Sequence, residues 1–595
     1  MFVGCVALAT SCDLTENVQV KADKSMIFGS KSGLELYSNS FYKALPTLKN
    51  GFMQDKMCDV GAVSNTDTFI KQGAYNTETA TSWSWGALKN INYFIDGCND
   101  PKYCTVDDNT RDNYLGIARW FRAWFYYDKL TTYGEVPWFP HDIQSYQNDV
   151  MYKDRDSRDV IIRNLIADLD FAYEHIQATS STGSATLTRW AAAALKSRVC
   201  LFEAAYRRYH NLTELEITPE ELYREAAKAA KLVIDNSGCS LNTATGKKGA
   251  YRDLFYNETP LTQEVILAVC ANEKSGIFGE QNWWFNARSY GLCWSLVRSF
   301  VHTYLKLDGT PFTDAADYAV KSFTEEMEGR DLRLEQTVRG RNFLWDGKTA
   351  VADIKNLSLT GYQVIKYTLD ESKYDGGAKN INSIPLIRYA EVLLNYAEAQ
   401  AELGVITDSE WALTVGALRK RAGITGGTET LPTTVDGYLQ RTFYPDVTSP
   451  VLLEIRRERA IELVAEGMRF DDLRRWKCGS LMETLPWSGI HIPGLEQSVD
   501  VNGDGVDDYY FTEGEVTAAP AAYRNIAIRV NQDGVGLYAE ANAVAGYDLV
   551  YKTGAGDRYW YPDGRQYLYP IPAKVIRDYK NAGYTISQNP YWDNE

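Results

Sequence analysis

The stretch TRWAAAALKSRVCLFEAAYRRYH, residues 188–210, sets alanines and other small residues at helical spacing. A helix with so little bulk on one side lets a second helix approach closely. The next such stretch, PEELYREAAKAAKLVID (219–235), supplies a partner, with Pro219 at its start. The pattern returns at RYAEVLLNYAEAQAELG (388–404), where Ala390, Leu393, Ala397 and Ala401 make one face and Gly404 ends the helix, and WALTVGALRKRAGI (411–424) is its expected partner. Paired helices with short connections are the mark of tetratricopeptide-type repeats, so the expected fold is mainly α, a tetratricopeptide-like helical-repeat scaffold.

Residues 112–134 and 157–176 read as two further helices of the same body. Residues 236–295, 335–385 and 486–568 do not read as helix: they carry Gly, Asn, Thr, Asp and Tyr with short β-rich runs. These are loop-rich and short β insertions in the scaffold, where binding residues usually sit. At 595 residues the chain exceeds the usual single core.

A formal charge of −16, with the basic residues interleaved among acids, argues against a nucleic-acid partner. No apolar run after the N-terminus is long enough to span a bilayer. The opening MFVGCVALATSC ends in small residues and Cys12, and ATSC resembles a bacterial lipobox whose cysteine is acylated and anchors the chain without spanning the membrane. Residues 1–12 are thus expected to be a lipoprotein signal segment, or else a frayed apolar terminus. Cys98 and Cys104, in CNDPKYC, either close a short disulfide loop or stay as thiols.

Five segments, in order, resemble the SusD/RagB family of outer-membrane nutrient-binding lipoproteins: ARWFRAWFYYDKLTTYGEVPWF (118–139), IRYAEVLLNYAEAQAELG (387–404), LRKRAG (418–423), IRRERAIELVAEGMRFDDLRRWK (455–477) and YPIPAKVIRDYKNAGYTISQNPYW (569–592). The resemblance covers essentially the whole mature chain. It implies one SusD-like domain over 13–595, with an N-terminal part of about 13–300 and a C-terminal part of about 301–595 that includes the insertion 486–568. It also implies a non-enzymatic, lipid-anchored protein on the outer face of the outer membrane. Such a protein binds glycan and hands it to a SusC-like TonB-dependent transporter for import. The alternatives are the same fold with peptide or another nutrient as cargo, a glycoside hydrolase, and a transporter subunit with no ligand of its own. Within 455–477, Ala460, Val464 and Met468 make an apolar row, and Glu458, Arg459, Glu462, Glu466, Arg469 and Asp472 put both charge signs on the remaining surface, as in a scaffold helix held by ion pairs.

Sugar rings offer an apolar C–H face and a rim of hydroxyls, so a sugar site needs exposed flat aromatics beside amide, carboxylate or guanidinium groups. NWWFNARSYGLCW (282–294) supplies Trp283, Trp284 and Tyr290 as platforms and Asn282, Asn286 and Arg288 as partners. In an extended segment the adjacent tryptophans point to opposite sides, which leaves one of them for the core. TSWSWGALKNINYF (81–94) offers Trp83 as the better binding candidate and Trp85 as the one nearer the scaffold.

DVNGDGVDDYY places Asp500, Asn502, Asp504 and Asp508 at ligand positions of a calcium loop, with the Val506 carbonyl as a fifth. Phe511 replaces the bidentate glutamate, so the stretch reads as a structural calcium loop or an unliganded acidic turn. No catalytic cofactor is expected, and no GxSxG, HExxH or GxxxxGK[ST] motif occurs.

Overall fold

The computed structural model describes residues 24–49, 53–287, 292–534, 536–552 and 557–593. Its scaffold is a succession of packed helices. Asp108–Tyr133 lies against Arg158–His175, which lies against Arg189–Tyr209, which runs along Pro219–Asn236. Tyr389–Glu402 packs on both Pro219–Asn236 and Arg189–Tyr209. The small-residue face has the role its sequence implies: Ala191 to Ala194 are at most 2% exposed. A larger side chain there would overpack the contact and cost about 1–3 kcal/mol.

The helix starts are marked chemically. The side chains of Asp107, Ser157 and Thr188 each accept a backbone N–H of the first turn, and Thr218 and Glu221 form a reciprocal capping box around Pro219. The longest helix stops at Gly134, whose φ of 75° is open to a residue without a Cβ.

Two expected helices are broken. Residues 411–424 fall into Asp408–Leu413 and Val415–Arg421, separated at Thr414 (φ −108°, ψ −94°). The break lets Trp411 sink completely, with its indole N–H donated to the Gly427 carbonyl at 3.0 Å. Residues 455–477 divide into Pro450–Glu462 and Arg469–Arg475, with Ala465 (φ 61°) and Gly467 (φ 77°) in the left-handed region between them. Ala460, Val464 and Met468 are therefore not one helical row.

The expected ion-pair network is present, but it lies inside the protein. Arg456, Arg457, Glu458, Arg459 and Glu462 are all 3% exposed or less. The Glu462 carboxylate meets Arg388 at 2.5 Å, Arg421 at 2.5 Å and Arg333 at 2.8 Å.

Val265–Val269 pairs antiparallel with Ile384–Arg388. The 486–568 insertion holds two three-stranded sheets: Ser488–Ile492, Tyr547–Tyr551 and Leu537–Ala541 in one, and Gln497–Val499, Tyr509–Thr512 and Ala527–Arg529 in the other. One hydrophobic cluster runs from Phe28 to Trp592. Tyr569 stacks on Phe69 with centroids 3.9 Å apart, and the Ala573 N–H bonds the Thr77 carbonyl at 2.9 Å. These two contacts bring the C-terminal helix Ala573–Asn581 against the N-terminal part of the chain. No helix among the described residues is long and apolar enough to cross a membrane.

Candidate functional site

The meeting of the helix Ala573–Asn581 with the N-terminal part of the chain leaves an open cleft of about 1170 Å³. Its walls are the segment Glu78–Asn92, the loop Phe139–Tyr152 and the helix Ala573–Asn581. Five aromatic side chains line it: Trp83, Trp85, Phe139, Tyr152 and Tyr579.

Each is held by an identifiable contact. Trp83 is half-buried and stands edge-on to Trp85 (5.3 Å, 74°) and Tyr133 (4.9 Å, 78°). The backbone beneath it is pinned because Ser82 shares a hydrogen bond with the Tyr133 hydroxyl at 2.8 Å and accepts one from Lys129 at its carbonyl. Trp85 packs edge-on to Phe139 at 5.2 Å and against Phe125 at 5.6 Å. Asn92, 1% exposed, donates its amide to the carbonyls of Phe139 (2.7 Å) and His141 (3.1 Å) and so fixes the facing loop. Tyr152 meets Tyr579 edge-on at 5.1 Å.

The rim is polar and charged. Arg577 pairs with Glu78 at 2.5 Å, and Lys574 with Asp578 at 2.6 Å. The hydrogen bond from Arg577 holds the Glu78 carboxyl below its ordinary pKa. Burial, with Asp154 and Tyr152 adding to it, pushes the Tyr579 hydroxyl up to about 12, so it is a neutral donor at physiological pH. Flat apolar faces beside amide, ammonium and carboxylate groups can hold a ring that is apolar on its face and hydroxylated at its edge.

A sequence profile of the SusD family matches residues 263–592. The chain belongs to the SusD family. Among curated SusD-family relatives, the SusD-like protein P38 of Formosa agariphila is 25% identical over 378 residues, spanning 61% of this chain and 66% of its own length. A solved SusD-like protein of Bacteroides fragilis superposes with a TM-score of 0.63 at 21% identity, covering 96% of this chain and 98% of that one. A SusD-like carbohydrate binding protein of the same species gives 0.66 at 19% identity, covering 94% and 99%. The SusD-like, helix-rich fold expected from the five ordered segments is the fold found.

Of the expected site residues, only Trp83 and Trp85 line this cleft. Trp283 and Trp284 lie on a short helix, Gln281–Asn286, where the expectation was an extended segment. Both are half-buried, with ring centroids 5.3 Å apart, so neither was surrendered to the core. The Trp284 indole N–H is donated to the Lys49 carbonyl.

Asn282 is fully buried: its amide N–H groups reach the Leu369 carbonyl and Asp375, and its oxygen accepts from the Leu369 N–H and Asn380. Asn286, 7% exposed, accepts from Gln363 at 3.0 Å. These two amides bond to other segments inside the protein, away from the Trp83–Trp85 cleft. Arg288, Tyr290 and Cys12 lie outside the described residues. Cys98 and Cys104 are both free thiols. Phe139, His141, Tyr152 and Tyr579 went unread as site residues, because they come from segments distant in the chain from Trp83 and Trp85, and Lys89 went unread although it shares the stretch 81–94 with them.

Asp500, Asn502, Asp504, Val506 and Asp508 share one turn between the strands Gln497–Val499 and Tyr509–Thr512. Backbone N–H groups of Gly503 and Gly505 donate to Asp500 at 2.7 Å, that of Val506 to Asp504 at 2.8 Å, and that of Val501 to Asp508 at 2.8 Å. Burial raises the pKa of Asp508, the backbone donors oppose the rise, and the charges of Asp500 and Asp504 add to it. Oxygen donors suit calcium. Among the described residues, however, no three His, Cys, Asp or Glu side chains are grouped to hold a metal. A calcium at this turn would have to gather its ligands as it binds.

Proposed function

We propose that this SusD-family protein captures glycan at the cell surface in the Trp83–Trp85 cleft and delivers it to a SusC-like TonB-dependent transporter, acting by binding and not by catalysis. In this reading an acylated Cys12 tethers the chain to the outer membrane. The observation that carries the proposal is the cleft itself: five aromatic side chains over about 1170 Å³, rimmed by charged and amide groups. That size lies at or slightly above the upper end of ordinary small-ligand sites and suits several sugar units. A solved relative of the same fold is described as a carbohydrate binding protein, which agrees with it.

The test is affinity electrophoresis of protein lacking residues 1–12 through gels containing plant, host and microbial polysaccharides, with reducing ends assayed in parallel. Retardation by a polysaccharide without release of reducing ends is the expected result. Full mobility in every gel would move the assignment to peptide or another nutrient, and released reducing ends would make the protein a hydrolase.

A further inference from the structure

Charge in the cleft lining does not follow the chain as a whole. The protein has 78 Asp and Glu against 62 Lys and Arg. The cleft lining has three cations, Lys89, Lys574 and Arg577, against two anions, Glu78 and Asp578. Arg577 and Lys574 are each matched with one of those acids. The nearby Asp96 is occupied as well, by the His141 ring at 2.8 Å and the Asp142 N–H at 2.8 Å.

Lys89 is the cation left over. It is exposed, and its ammonium meets no acid among the described residues. It rises from the first turn of the helix Gly86–Asn99, one turn after Trp85, and that turn contains no acidic residue. An uncommitted ammonium in the same lining as two indoles can pair with a ring that is apolar on one face and negatively charged at its edge.

Resting on the glycan reading above, we infer that the cleft selects acidic glycans, whose sugars carry a carboxylate or a sulfate ester, with Lys89 as the group that pairs with the anion. Trp83 and Trp85 hold the ring face, and the overall negative charge of the protein keeps acidic polymers from binding elsewhere on its surface.

The test uses protein lacking residues 1–12 in affinity gels of polygalacturonate, dextran sulfate, dextran, laminarin and galactomannan, with Lys89→Glu and Trp83→Ala beside the wild type. Glu is favourable in the first turn of a helix, so Lys89→Glu folds, and far-UV circular dichroism checks this. The expected result is retention by polygalacturonate, by dextran sulfate or by both, in excess of the neutral polymers. That retention weakens at least tenfold in Lys89→Glu, is lost in Trp83→Ala, and falls as sodium chloride is raised. The two acidic gels separate carboxylate from sulfate recognition. Retention by neutral polymers alone, or acidic retention indifferent to Lys89→Glu, would overturn the inference and leave glycan capture standing. No retention by any of the five would overturn the inference and count against glycan capture as well.

Discussion

Trp83 and Trp85 stand edge to face, 5.3 Å apart at 74°, and differ in what lies behind them. Trp85 is backed by Phe125 and Phe139, whereas Trp83 leans on Tyr133 at the cleft's edge. Trp85→Ala should therefore destabilise the protein by about 2–4 kcal/mol through lost packing, and Trp83→Ala by about 1 kcal/mol or less. Urea unfolding of the two variants checks this, and equal losses would place both rings in the same structural role.

Glu462 faces three arginines in the interior. Burial opposes its charge, but Arg421, Arg388 and Arg333 together hold its carboxyl well below the usual range. Glu462→Ala strands those guanidinium groups and should cost about 3–5 kcal/mol, seen as a lower denaturant midpoint. A loss under about 1 kcal/mol would mean that water enters and solvates the arginines.

Asp55 should make stability depend on pH. It is buried, and although the Gly467 N–H donates to both its oxygens and the Lys366 ammonium is near, burial pushes its carboxyl up to about 7. A folded pKa above the unfolded value of about 3.9 means that the folded state binds the proton more tightly. This contribution is complete below about pH 4 and is lost as the pH rises through about 7. Asp55→Asn should flatten the decline in melting temperature between about pH 4 and 7. An unchanged slope would show that another group titrates there.

Calcium at the 500–508 turn is proposed as a structural ion. Because its ligands are not gathered beforehand, binding should be weak, with Kd about 10⁻⁴–10⁻³ M. At tenfold excess over Kd the ion would add roughly 1.4 kcal/mol of stability. A small rise in melting temperature with calcium, reversed by EDTA and absent in Asp504→Ala, is the expected outcome. No shift would leave the turn as a self-bonded acidic loop.

The helical scaffold was legible because burial on a helix repeats with the chain: Thr188 caps, Ala191 to Ala194 pack, and Gly134 stops. The break near Ala465 was hidden, since what holds it is a distant bond, the Gly467 N–H on Asp55. The charges of 455–477 looked like a surface pattern, because only the fold shows that Glu462 has arginines from three other segments around it. The same limit governs the cleft. Trp83 and Trp85 were readable as a local cluster, but Tyr579 joins the same cleft from the C-terminal helix, far along the chain. Asn282 has the composition of a binding residue, and only its four hydrogen bonds reveal it as internal mortar.

The most direct measurement is affinity electrophoresis on whichever polysaccharide retards the wild type, comparing Trp83→Ala with the double variant Trp283→Ala/Trp284→Ala. If glycan is held in the cleft between Trp83 and Tyr579, Trp83→Ala loses retention about tenfold or more, and the double variant migrates like the wild type. Retention that survives Trp83→Ala and disappears in the double variant would contradict the account and put the glycan at the helix Gln281–Asn286.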